Sequence, residues 1–185
     1  MEDLPGLASA VGARLRDARR ARGLSVGALA ASANVGKGSL SEIENGARNP
    51  TLSTLYALAG ALGVPLATLL AEQIGARVDS PGVSAVLLDV RRGEDGTVEV
   101  YRLGLDAEAR HRSGGHGPGV VEHLLVTSGR ARVGRAGEEV EVGVGEQATW
   151  VSDVEHTYAA LAGRPVESVL VIRSPALPGP TTERP

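Results

Sequence analysis

The chain has 185 residues, enough for two small domains, and its lack of cysteine excludes disulfides and thiolate metal sites. With 42% hydrophobic residues but no phenylalanine, its cores must be built from Ala, Val and Leu. The net charge of −3 hides a division that keeps a nucleic-acid partner open: residues 8–71 hold seven Lys/Arg against three Asp/Glu, and residues from 76 on hold twelve against sixteen.

Residues 1–7 read as a loose lead-in, and helical periodicity runs from about Ala8 to Gln73. The first helical stretch is rich in arginine, with Arg14, Arg16, Arg19, Arg20 and Arg22 before Gly23. Ser25 then suits an N-cap, because its hydroxyl can satisfy an orphan amide. Leu24, Ala28, Leu29, Val35, Leu40 and Ile43 form an apolar stripe that packs two short helices across one turn. Lys37, Ser39, Ser41 and Glu42 are left facing solvent, and Gly46 ends the second helix as a C′ glycine. A small helix pair with a polar outer face fits a DNA major groove.

The span Leu52–Ala71 carries no charge, yet Gly60, Gly63 and Pro65 interrupt it. Two short helices broken at Gly63-Val64-Pro65 explain it better than a membrane helix. The N-terminus lacks a basic lead into an apolar run, so the expectation is a cytoplasmic protein with no membrane partner.

Residues 74–82 read as a linker, and residues 83–173 as an all-β domain of short strands at period two. The expected strands are 83–90, 97–105, 120–127, 130–133, 139–142, 147–151, 157–161 and 166–172. Such spacing without helices indicates a sandwich or small barrel. The tail 174–185 has four prolines and is expected to be disordered. On the strand at 120–127, Glu122, Leu124 and Val126 share one face and His123 takes the other. His116 just before this strand, Glu122 on it and His156 from a later strand suit a divalent transition metal with open positions. Tyr158 shares the inward face of His156, whereas His111 is expected at the surface. The Gly-rich segments at 36–39 and 113–119 lack the ending and flanking pattern of a phosphate loop.

The stretch from Gly12 through Gly23, with Leu29-Ala30, Leu40 to Gly46, Asn49-Pro50-Thr51-Leu52 and Leu58 to Pro65, resembles the XRE (Cro/C1-type) helix-turn-helix family. The resemblance implies an all-α five-helix DNA-binding domain over residues 8–73. Val26 stands where many members carry a phosphate-touching glutamine. The segments from His116 to Gly129 and from Gly145 to His156 resemble the two motifs of the cupin superfamily, an all-β jelly-roll barrel. Gly114 stands where that family's first histidine falls, and Val151 where a proline is usual.

Together the resemblances imply a transcription regulator, not an enzyme, without catalytic residues. Its recognition helix is expected from Lys37 to Asn45, with Lys37 and Glu42 facing base edges, Gly38 offering backbone approach, and Ser39 and Ser41 short enough for a base or a phosphate. Arg19, Arg22, Asn45 and Arg48 are expected on the phosphate backbone. The implied partners are a double-stranded operator with an inverted repeat, a small-molecule effector and a second copy of the chain. His116, Glu122, His156 and Tyr158 are the expected pocket residues, the first three also the metal ligands. Two alternatives stay open: a metal-dependent cupin enzyme tethered to DNA, and a barrel that only dimerises.

Overall fold

The computed structural model describes residues 7–176, and the lead-in before residue 7 and the tail from residue 177 on lie outside the described residues. Five helices come first: α1 Leu7–Ala21, α2 Val26–Ser32, α3 Lys37–Glu44, α4 Leu52–Leu62 and α5 Leu66–Leu69. Local chemistry sets their ends. Ser25 and Thr51 accept from Ala28 N–H at 3.0 Å and Thr54 N–H at 3.2 Å, capping α2 and α4. Gly46 follows the C-cap of α3 with φ +69°, a left-handed conformation that costs a glycine nothing. The stripe residues Leu29, Leu40 and Ile43 are buried and meet Val11 and Leu15 of α1 and Leu52, Leu55, Leu58 and Leu62 of α4.

Ten antiparallel strands follow, two more than the residue pattern gives: β1 Arg77–Ser80, β2 Val83–Gly93, β3 Gly96–Leu105, β4 Arg110–Ser113, β5 Val121–Ser128, β6 Arg130–Arg135, β7 Val140–Gly143, β8 Gln147–Val151, β9 His156–Ala160 and β10 Val166–Pro175. One sheet runs β1-β2-β3-β10-β5-β8 and the other β4-β9-β6-β7. Leu87, Tyr101, Leu103, Leu124, Val126, Val133, Trp150, Tyr158, Leu170 and Ile172 fill the core of this domain.

Two expectations are corrected here. The supposed linker 74–82 contains β1, which pairs with β2 from Arg77↔Val86 to Ser80↔Val83, so no free tether separates the domains. Ser174 and Pro175, expected in a disordered tail, pair in β10 instead. Instead of swinging on a linker, the helical head is docked on the barrel. Ser53 N–H at the start of α4 donates to Ser80 Oγ at 3.2 Å, and Ala67 N–H in α5 donates to the buried Glu99 carboxylate of β3 at 2.5 Å. Arg92 of β2 donates to Glu72 Oε1 at 2.5 Å and Thr68 Oγ1 at 2.8 Å, both in or just after α5.

Candidate metal centre and nucleic-acid interface

Strand alternation aims Glu122 of β5 into the barrel, opposite Trp150 of β8 and Ile172 of β10. On β9 the same alternation turns His156 and Tyr158 inward, opposite Ser113 and His111 of β4. His116 arrives from the loop between β4 and β5, fixed by its own N–H on Ser152 O at 2.7 Å. These residues converge: one ligand atom each from His116, Glu122 and His156 lies within 4.8 Å of the others. Glu122 and His156 are completely buried.

The hydrogen bonds around the group leave specific lone pairs free. His116 Nε2 lies 3.1 Å from Ser113 Oγ, and His156 Nδ1 lies 3.0 Å from Val154 O, so each ring has an oxygen partner for one N–H. In the tautomers in which both rings donate to these oxygens, His116 Nδ1 and His156 Nε2 carry lone pairs, and they lie 2.8 and 3.2 Å from Glu122 Oε1. None of these three atoms makes an aligned hydrogen bond, although all are buried. Tyr158 O–H donates to the other carboxylate oxygen, Glu122 Oε2. Imidazoles oriented by a second oxygen, beside an oriented carboxylate, are what a divalent transition metal needs, and the residues present fit one.

Electrostatics agree with the geometry. Burial acts to raise the Glu122 carboxyl, but the imidazoles, His116 foremost, outweigh it and hold the group well below the usual carboxylate range. Burial acts to lower His156, and the adjacent Glu122 carboxylate overcomes it and raises the imidazole. Trp150 lies 6.1 Å from the His156 ring and 5.8 Å from that of Tyr158, centroid to centroid. His111, expected at the surface, is buried beside Tyr158, and burial lowers its pKa.

One wall of this centre comes from the helical head. Tyr56 of α4 stacks on His116 with centroids 4.1 Å apart and planes 10° from parallel. The contact relies on Gly60 one turn later, where a Cβ would stand 2.8 Å from Gly115 O. Tyr56 Oη is buried without a hydrogen-bond partner among the described residues, and burial and the charges of Glu122 and Glu99 push its pKa well above the ordinary value. No local pattern points from Tyr56 to His116, sixty positions away, and the residue pattern missed it, as it missed Ser113, Glu99 and Arg92.

Elsewhere on the head, Lys37, Gly38, Ser41, Glu42, Asn45 and Arg48 are exposed and Ser39 half-buried, on or beside α3. Arg22 is exposed at the end of α1. Arg48 bridges Ser39 Oγ at 2.9 Å and Glu42 Oε2 at 3.3 Å, and Arg16 holds Asn45 Oδ1 at 2.7 Å. Arg19, expected on phosphate, is turned inward instead. Its guanidinium donates to Glu44 Oε1 at 2.7 Å, Glu44 Oε2 at 2.8 Å and Leu24 O at 2.7 Å, tying α1 to α3.

A five-helix head with an exposed second helix of a helix-turn-helix, joined to a two-sheet antiparallel β domain, defines a DNA-binding transcriptional regulator. Residues 15–69 match the helix-turn-helix family HTH_3, so the head carries a domain of this XRE type. It is similar to the HTH-type transcriptional regulator SutR of Escherichia coli K12, 29% identical over 159 residues that span 84% of this chain and 89% of that one. It superposes on the crystal structure of an HTH_3 family transcriptional regulator from Vibrio cholerae with a TM-score of 0.81 and 26% identity, covering 92% of this chain and 98% of that one. A Cupin_2 domain of an XRE family regulator from Enterobacter cloacae is similar at 24% identity and a TM-score of 0.47, over 51% of this chain and 99% of that one. Among the described residues, no helix is long and apolar enough to cross a membrane.

Proposed function

We propose that the chain is an operator-binding regulator, not an enzyme, whose barrel senses a small molecule and pairs two copies on an inverted repeat. The observation that carries this reading is the stack of Tyr56 on His116, because it joins the head that binds DNA to the residues that would bind a metal or effector. An effector that prefers one docking of the head over another shifts operator affinity, and typical couplings are about 1–3 kcal/mol. In this reading His116, Glu122 and His156 would hold a divalent metal, which would supply Lewis acidity towards an oxygen donor, and Tyr158 orients Glu122.

At the DNA, Lys37 and Glu42 read base edges, Ser39, Ser41 and Gly38 make close contacts, and Arg22, Asn45 and Arg48 set register on the backbone. Pairing of barrels is supported by the edge position of β8 and by the exposed Leu125 and Val151 on the same sheet. Recognition helices of such a dimer stand about 34 Å apart, one turn of DNA. The test is selection of bound duplexes from a random pool, with and without a metabolite mixture, beside light scattering for mass. An inverted repeat whose enrichment changes with the mixture supports the reading. A monomer that selects no sequence overturns it.

A further inference from the structure

Where the turn between α4 and α5 meets the barrel, the two domains line a half-open cavity of about 270 Å³. The head supplies Val64 and Pro65 to its lining, and the barrel supplies Arg92, Thr97, Pro118 and Val120, with His116 at one end. We propose that this junction is the effector site and that it takes a small carboxylic acid with an apolar body. The proposal rests on the reading of the barrel as a sensor and moves the ligand from the barrel interior to the seam between the domains.

The chemistry of the walls selects the ligand. Among the described residues, the lining is mostly Val, Pro and Gly, contains no carboxylate, and has Arg92 as its one permanent charge. Glu72 and Thr68 hold Arg92 through Nε and one terminal nitrogen, which fixes the guanidinium and leaves its other terminal nitrogen outside both bonds. An adjoining outer groove shares Arg92 and adds Arg91, which is paired with Asp89, and Arg173 beside Asp95, so the free terminal nitrogen of Arg92 is the donor the cavity offers an anion. A cavity of about 150 Å³ holds one benzene, so this one suits about ten non-hydrogen atoms. Because the ligand touches both domains, it binds the docked head better than an undocked one, which is the differential affinity a switch requires.

Calorimetry on the full chain tests this with benzoate, phenylacetate and octanoate, against benzamide and octylamine as neutral and cationic counterparts. The acids bind at one site per chain, and the amide and amine bind at least tenfold more weakly. Val64→Trp, which fills the cavity from the head side, weakens the best acid more than tenfold. Arg92→Gln does the same, while Glu72→Gln, which removes the same ion pair but keeps the guanidinium, leaves affinity equal or tighter. Duplex binding measured on each preparation shows that the head is folded and keeps the two readings apart. Three outcomes overturn the site: no acid binds, affinity ignores both Val64→Trp and Arg92→Gln, or removing residues 177–185 tightens binding tenfold. The last makes the chain's own tail the occupant. In each case, operator binding by the same protein would leave the regulator reading standing.

Discussion

Replacing Arg19 by alanine separates two roles for the arginine-rich first helix. The substitution removes two hydrogen bonds to Glu44 and one to Leu24 O, and leaves the Glu44 carboxylate buried without its main partner. Breaking a buried pair from one side costs about 3–5 kcal/mol, and the residual exposure of the Arg19 side chain, 9%, favours the lower end. About 3 kcal/mol lowers the melting temperature of a chain this size by roughly 6–12 °C. Joint replacement, Arg19→Met with Glu44→Leu, recovers most of the loss because no charge is stranded. Thermal unfolding measures the first effect, and duplex binding across salt concentrations at low temperature measures the other. Folded Arg19→Ala keeps the parental salt slope, whereas Arg22→Ala lowers it by about 0.9 and changes stability by less than about 0.5 kcal/mol. The reasoning is refuted if Arg19→Ala costs under about 1 kcal/mol and lowers the slope by a phosphate contact.

Gly60→Val places a methyl-bearing carbon against Gly115 O and should undock the head while both domains stay folded; small-angle scattering should show a larger radius of gyration. Full-length protein dialysed against Co(II) should take up one equivalent with a visible ligand-field band and altered Trp150 fluorescence, and His156→Ala should abolish both without loss of β circular dichroism. Unchanged uptake in that variant would remove His156 from the centre. Burial raises the Glu99 carboxyl despite its bonds from Ala67 N–H and Tyr101 O–H. Its protonated form therefore favours folding, and its contribution is full at or below the ordinary glutamate pKa and fades as pH rises through the raised value. Glu99→Gln should flatten that decline in urea midpoints, and an unchanged pH profile would show that Glu99 does not cause it.

The helical head was legible because its signals are local: Ser25 before an apolar stripe, Gly46 after it, and Gly63-Val64-Pro65 between α4 and α5. The inward face of β5 was legible for the same reason, since Glu122, Leu124 and Val126 alternate with His123 and Leu125. Strands β1 and β4 were not, because Arg77-Val78-Asp79-Ser80 and Arg110-His111-Arg112-Ser113 carry little apolar alternation and are held by pairing with β2 and β9. Arg19 looked like a phosphate ligand because its neighbours Arg20 and Arg22 are exposed, and only the packing of α1 on α3 turns it towards Glu44. The docking of Tyr56, Glu99 and Arg92 across the domains is tertiary throughout and leaves no short-range trace.

The most direct measurement is the affinity of the purified full-length chain for duplexes from a random-pool selection, followed across salt concentrations. The account predicts an enriched two-fold symmetric sequence, bound with a log affinity that falls steeply and linearly with log salt. Indifference to every duplex at low salt, by protein shown to be folded, would contradict it.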